Sequence, residues 1–203
     1  MENGNSINIL LAHLKLFHLY FPPIPMKRKI ILNLAISIDG FIADEDGGFA
    51  WIIGDGDNKT NTENQFDFPE FVDSVDTIVM GKNAYLDCPA ESLDVFKDKK
   101  IYVASSKELK NTKDNVERIN GDICSKILEI REDEGKDIWL WGGAGLTDPF
   151  LKEDIVDEFV IGVIPIILGS GRPLFLKDNP TIKLHLDTFS SAEGIVILQY
   201  SKR

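Results

Sequence analysis

Short apolar runs separated by polar, glycine-rich stretches recur along most of this chain. Ile30-Ile31-Leu32-Asn33-Leu34-Ala35-Ile36 is almost continuously apolar and predicts a strand buried on both faces. Ser37 to Gly56 reads as a long loop rich in Gly and Asp that carries Trp51. Phe68, Phe71, Val72 and Val75 recur at helical spacing, so 66–75 predicts a helix ending at Asp76. Thr77 to Met80 is a second buried strand closed by Gly81, with a short helical turn at Asn83 to Leu86. Further strands are predicted at Ile101–Ala104, Val116–Ile119 and Ile138–Trp141, and helices at Asp122–Glu134 and Gly143–Lys152.

After Lys152 the pattern changes. Val156 to Ile167 is a long β-rich run interrupted by Pro165, and Leu168 to Pro173 is a turn. Thr181–Phe189 and Ile195–Tyr200 predict a closing hairpin turned at Glu193-Gly194. Alternating strands and helices imply a mainly parallel sheet with helices on its faces, to which the hairpin adds antiparallel strands.

The length of 203 residues fits one domain. With 22 basic and 33 acidic residues, a net charge of -11, the chain offers no basic face for nucleic acid. Cys88 and Cys124 lack metal-ligand spacing, and with His13, His18 and His185 scattered no metal site is expected. The thiols read as those of a reducing cytoplasm. Residues 1–25 differ in composition: Ile7 to Phe21 is apolar but broken by His13, Lys15 and His18, too short and polar to span a bilayer. They read as a dispensable extension ahead of a domain at 26–203, with no membrane partner, and an amphipathic docking helix as the other reading.

Trp141-Gly142-Gly143-Ala144-Gly145-Leu146 lies where a buried strand stops and a helix begins. Such a junction aims unpaired amides at one point and suits an anion, although a plain tight turn has the same sequence. Gly81-Lys82-Asn83, Ser105-Ser106-Lys107 and Ser37-Ile38-Asp39-Gly40 also follow predicted strands. In open α/β sheets ligands bind outside the strands' carboxyl ends. Two phosphate-type loops with a nearby lysine suggest a dinucleotide, while the usual Rossmann glycine fingerprint is absent.

Four segments, in order and spacing, resemble the dihydrofolate reductase-like superfamily, in its branch related to the reductase domain of bifunctional riboflavin-biosynthesis enzymes. They are Ser37-Ile38-Asp39-Gly40-Phe41-Ile42-Ala43, Val79-Met80-Gly81-Lys82-Asn83-Ala84-Tyr85, Trp141-Gly142-Gly143-Ala144, and the run from Ile164 to Phe175 containing Gly169-Ser170-Gly171-Arg172-Pro173. The resemblance spans Met26 to Lys202. It implies a three-layer α/β fold, a mostly parallel mixed sheet with helices on both faces and a C-terminal antiparallel hairpin.

It further implies a cytoplasmic oxidoreductase that uses NADPH to reduce a small heterocyclic, carbonyl or imine substrate, its candidate cofactor residues carried over by position. Ala35 and Ile42 would flank the nicotinamide. Gly81, Lys82, Asn83 and Ala84 would meet the pyrophosphate and 2′-phosphate, and Ser105, Ser106 and Lys107 the adenine ribose. Gly142, Gly143, Ala144, Gly145 and Leu146 would give amides to the pyrophosphate, with a cis Gly142-Gly143 bond as in kin. Asp39 is the candidate for orienting substrate or relaying a proton, with a loop cap as its plain role. Trp51 would cover the substrate. Dihydrofolate reductases carry a carboxylate on the helix before Gly81; Gln65 stands near that place, and Asp67 or Glu70 could substitute in a shifted register.

This chain departs from its kin. Lys82 replaces an arginine and Ala84 a threonine, which leaves NADPH against NADH open. Trp141 stands where riboflavin-pathway reductases have glutamate. Asp55, Asp57 and Glu63 populate the region where those enzymes place arginines for a ribose phosphate. The branch's defined reaction is 5-amino-6-(5-phosphoribosylamino)uracil reduction; dihydrofolate reduction and a non-catalytic dinucleotide-binding module are the alternatives. A homodimer through the Val160–Phe175 region is expected, since Val163 to Leu168 carries no charge and Pro165 suggests an edge or a break in pairing; burial of the run by the chain's own terminal hairpin is the alternative.

Overall fold

The computed structural model describes residues 27–110 and 112–203, and among these ten strands and five helices follow one another. They are β1 (Ile30–Ser37), β2 (Phe41–Ala43), α1 (Phe68–Ser74), β3 (Val75–Gly81), α2 (Lys82–Asp87), α3 (Ala90–Asp94), β4 (Lys100–Ala104), β5 (Val116–Ile119), α4 (Ile123–Arg131), β6 (Asp137–Gly142), α5 (Ala144–Lys152), β7 (Glu158–Ile164), β8 (Arg172–Pro173), β9 (Leu184–Ala192) and β10 (Ile195–Lys202). The expectation for residues 1–25 lies outside the described residues.

Eight strands form one sheet in the order β5-β4-β3-β6-β1-β7-β10-β9. The first six in that order run parallel, and β10 and β9 join antiparallel, as the closing hairpin predicted. Successive side chains of a strand face opposite sides, and the core divides accordingly. Ile30, Leu32, Ile138 and Leu140 pack with α4 and α5 through Ile127, Phe150 and Leu151. Ile31, Ile78, Met80 and Trp139 pack with α1, α2 and α3 through Phe71, Tyr85 and Leu93. Helices on both faces make three layers, as the resemblance implies.

The α1–α3 face is aromatic. Trp139 takes Phe68, Phe71 and Phe96 edge-on at centroid distances of 5.8, 5.2 and 5.7 Å, and Trp141, two residues on, stacks on it at 4.4 Å. Tryptophan at position 141 thus extends a packed aromatic column that a carboxylate could not join.

Local chemistry sets the boundaries. Asp67 caps α1 by accepting from the Glu70 amide at 2.8 Å, and Asp122 caps α4 through the Ser125 amide. The latter helix stops at Arg131, short of the expected Glu134. Two elements escape the periodicity: α3, one short turn after Pro89, and the β2–β8 pair, where Phe41 faces Pro173 and Ala43 faces Arg172.

Of the two readings of Pro165, the edge is corrected and the break in pairing holds: β7 lies between β1 and β10 of the closing hairpin, and Pro165 falls just after its last residue. The edge near the C-terminus is β9, whose Leu186 and Phe189 are exposed.

At the amino ends of the strands Arg28, only 6% exposed, ties four segments together. Its guanidinium donates to the carbonyls of Lys136 and Ile130, to the Asp76 carboxylate and, at 2.6 Å, to the Thr77 hydroxyl. Nearby Arg131 grips Asp157 with bonds of 2.8 and 2.7 Å, and Asp157 also accepts from the Ile30 amide.

Candidate functional site

The parallel strands all end on one side of the sheet. From β1 the chain passes over the α1 face to β3, and from β6 it passes over the α5 face to β7, on the other side of β1. Crossovers departing on opposite faces open a crevice at the carboxyl ends of β6 and β1, the topological switch point. The predicted loops gather there in the spatial order Ser105–Lys107, Gly81–Ala84, Gly142–Leu146, Ser37–Gly40.

At the centre, Gly142 and Gly143 adopt φ of +106° and +92°, open chiefly to glycine. A Cβ on Gly142 would come within 2.9 Å of Leu34 Cδ2, and one on Gly81 would touch the Gly142 carbonyl at 3.6 Å and Leu146 at 3.7 Å. A side chain at Gly142 would therefore have to displace the end of Leu34 on β1. Gly143 and Gly145 differ: a Cβ there would meet nothing within 4 Å. The amides of Leu146 and Thr147 turn back to the Gly143 carbonyl at 2.9 and 3.0 Å. Those of Ala144 and Gly145 precede them, among the donors that a helix start leaves without carbonyl partners. The site is an open backbone cradle at the positive end of a nine-residue helix. No described peptide bond is cis, so the expected cis Gly142-Gly143 bond is corrected: positive φ at both glycines makes the turn.

The neighbouring loops add cationic and hydroxyl groups. Lys82 begins α2 half-buried, Asn83 is exposed, and Ala84 packs into the aromatic-face core above buried Tyr85. Ser105 is buried and shapes its own turn, its hydroxyl donating to the Lys107 carbonyl at 2.7 Å and accepting from the Lys107 amide at 3.2 Å. Ser106 and Lys107 are left exposed. With strands about 4.8 Å apart, this loop stands about 10 Å from the end of β6. Ala35 is half-buried beside Gly162 of β7, where a Cβ would lie 3.8 Å from it. Ile42 packs with Leu34 and Ile36 on the α5 side, so Ala35 and Ile42 approach the edge from opposite faces of β1.

Asp39 is tied into the fold. Its carboxylate accepts from the Ser37 hydroxyl at 2.6 Å and from the Gly169 and Leu168 amides at 2.7 and 3.1 Å. The Ser37 bond foremost, then the two amides, holds its carboxyl below the ordinary value of 3.8. A carboxyl depressed in the folded state adds stability above its unfolded value and loses it as pH falls through the folded one. The Gly169 amide resonance should therefore stay constant from pH 8 to 5 and titrate with a midpoint below 3.8. A midpoint near neutrality would instead mark Asp39 as a proton relay.

Trp51 is half-buried, its indole donating to the Gly48 carbonyl at 3.1 Å. Its loop is strapped to the hairpin turn. The Asp55 amide bonds the Glu193 carbonyl at 2.8 Å, Thr62 bonds Ser191, and Asn61 accepts from the Glu193 amide. Gly54 and Gly194 permit this contact, since a Cβ on either would fall within 2.5 Å of the opposing segment. Sequence periodicity contained no trace of this strap; the glycines at 54 and 194 were its signal.

Glu70 is not brought to this edge. It lines a cavity of about 340 Å³ under α1 with Ile31, Phe66, Asp137, Glu158 and Gln199. The cavity reaches the amino ends of the strands, and Ile31 lies six residues, roughly 20 Å, from the carboxyl end of β1. The register places Asp67 at a helix cap instead, so no carboxylate of α1 meets the glycine loops. Asp122, Cys124 and Glu153 converge beneath α4. Burial and the two neighbouring acids push the Cys124 thiol up to about 12, so it keeps the proton that a metal would have to displace.

The family whose description is RibD C-terminal domain matches residues 28–88 and 84–196. The uncharacterized Bacillus subtilis proteins YwjB and YyaP are 36% and 34% identical, over alignments 184 and 188 residues long that cover 98% and 95% of those proteins and 86% of this chain in each case. A riboflavin biosynthesis protein of Shewanella sp. PV-4, so described provisionally, superimposes with a TM-score of 0.68 at 27% identity, covering 86% of this chain and 99% of that one. A Thermotoga maritima deaminase/5-amino-6-(5-phosphoribosylamino)uracil reductase shares the fold at a TM-score of 0.62 and 16% identity, covering 87% of this chain and 57% of that one.

Proposed function

Because this chain belongs to the RibD C-terminal domain family, a family of reductases, we propose that it is an NADPH-dependent oxidoreductase acting at the carboxyl edge of its sheet. The observation that carries this reading is the open cradle at Gly143 and Gly145, which any side chain would fill, beside Lys82. The amides of Gly143, Ala144 and Gly145 hold the pyrophosphate, that of Leu146 being taken by the Gly143 carbonyl, and Lys82 with Asn83 adds charge and a donor at the phosphates. Ser106 and Lys107 border the adenosine end. Ala35 and Ile42 close on the nicotinamide from the two sides of β1. Asp39 acts as a positioning residue that fixes the 166–169 loop, and Trp51 walls the substrate from water. When bound, the cofactor supplies the hydride for an unsaturated C=N or C=O carbon.

The experiment is NADPH oxidation measured with 5-amino-6-(5-phosphoribosylamino)uracil, dihydrofolate and small imines. Turnover of any of them supports a reductase; cofactor binding with none turned over supports a dinucleotide-binding module. No helix among the described residues is long and apolar enough to cross a membrane, and we place the enzyme in the cytoplasm.

We also propose a homodimer, relocated from the β7 region to the outer surface of β9, where Leu186 and Phe189 are 45% and 58% exposed. Light scattering at micromolar concentration should give about twice the 22.7 kDa of one chain. Phe189→Asp should return the monomer mass with the melting temperature preserved; a monomeric parent protein ends the proposal.

A further inference from the structure

The carboxyl edge is electrically divided. Its β4-β3-β6 half offers Lys107, Lys82 and the amide cradle. The half around β1, β7 and the hairpin turn is closed by residues 44–63, which contain Asp44, Glu45, Asp46, Asp55, Asp57 and Glu63 against a single Lys59. Lys59 is itself engaged by Asp57 at 3.4 Å. The guanidinium of Arg172 lies against Gly47, so closely that a Cβ there would fall 2.5 Å from it.

Three of these carboxylates, Asp44, Asp55 and Asp57, are fixed by amides of the loop itself. Asp44 accepts from the Gly48 amide at 2.6 Å, and Asp55 accepts from the Asp57 amide while its own amide holds the Glu193 carbonyl. Alongside them the loop presents apolar surface, with Ile38, Phe49, Ile52 and Ile53 between 40% and 68% exposed. A phosphate monoester entering here would meet a loop of six carboxylates against Lys59, itself paired with Asp57, and the Arg172 guanidinium beside Gly47. A planar heterocycle would find apolar contact.

Resting on the reductase reading above, we infer that the substrate is an unphosphorylated heterocycle, neutral or cationic, and that the 44–63 loop selects against phosphate. The only phosphates the edge accepts are those of the dinucleotide, on its basic half.

Matched pairs test this: riboflavin against its 5′-phosphate, and 7,8-dihydroneopterin against its monophosphate. Each is titrated by fluorescence on the full chain saturated with NADP⁺, after NADPH binding has been measured alone. At 20 mM NaCl the unphosphorylated member of a pair should bind at least about tenfold more tightly. At 500 mM NaCl, where screening shortens the reach of charge to a few ångströms, the gap should close to under about threefold. It should narrow at low salt in the Glu45→Gln, Asp46→Asn, Glu63→Gln triple variant, whose replaced side chains are all exposed and which keeps Asp44, Asp55 and Asp57. Equal or tighter binding of the phosphates overturns the inference. So does an undiminished gap in the triple variant, or binding of none of the four compounds by a protein that binds NADPH. Failure to bind NADPH would bring down the reductase reading itself, and this inference with it.

Discussion

Arg28→Met is expected to lower the melting temperature by about 6–12 °C while leaving NADPH affinity unchanged. The guanidinium is buried and serves the Lys136 and Ile130 carbonyls, the Asp76 carboxylate and the Thr77 hydroxyl at once. Methionine fills the same volume but leaves those acceptors without a donor and the carboxylate without its partner. Breaking such a buried pair from one side costs about 3–5 kcal/mol, and the lower end applies here because Asp76 is 38% exposed. For a domain of this size each kcal/mol moves the midpoint by roughly 2–4 °C. Gly135 belongs to the same knot: a Cβ there would lie 2.6 Å from the Asp76 carboxylate. Calorimetry decides the point, and a shift under about 2 °C would show that the arginine is not the tie the geometry makes it.

Gly145→Val is expected to weaken NADPH binding at least about a hundredfold with almost no change in melting temperature. The position is exposed, lies in the first turn of α5, and a Cβ there meets no protein atom within 4 Å. Valine costs a helix no more than glycine does, so the fold has little reason to suffer. The added methyls would stand where the pyrophosphate must lie. Gly143→Val should abolish binding too, but its φ of +92° adds backbone strain, so its fold must be checked separately. Gly142→Val would also press on Leu34, 2.9 Å from the new Cβ, and unsettle the core. Fluorescence titration of the three variants separates ligand blockade from folding; normal affinity in Gly145→Val removes the cradle from the site.

Burial periodicity made the central strands legible. Ile30 to Ile36 and Ile138 to Trp141 are sandwiched between helix layers and must be apolar on both faces, so their positions in the sequence nearly match β1 and β6. Elements held by distant contacts were not legible. The three residues of β2 become a strand only because Arg172-Pro173 returns beside them, and the strap from Asp55 to Glu193 spans most of the chain. Pro165 was ambiguous, because a proline that ends a strand leaves the same mark as one on an edge strand; here it ends β7. At the site, glycines and small polar residues after strands identified the loops, because chain turns and ligand approach both demand them. The resemblance supplied Glu70, and the short α1, beginning at Phe68 and capped by Asp67, carried that carboxylate toward the amino half of the sheet.

The central claim is that a dinucleotide lies across the carboxyl edge over the Gly142–Leu146 cradle. Amide hydrogen exchange of the full chain, with and without saturating NADPH, tests it most directly. The account predicts slowed exchange at residues 81–84, 105–107 and 143–146, with no change around Glu70, Asp137 and Glu158. Protection confined to the cavity under α1, or none at the glycine loops at saturating cofactor, would contradict it.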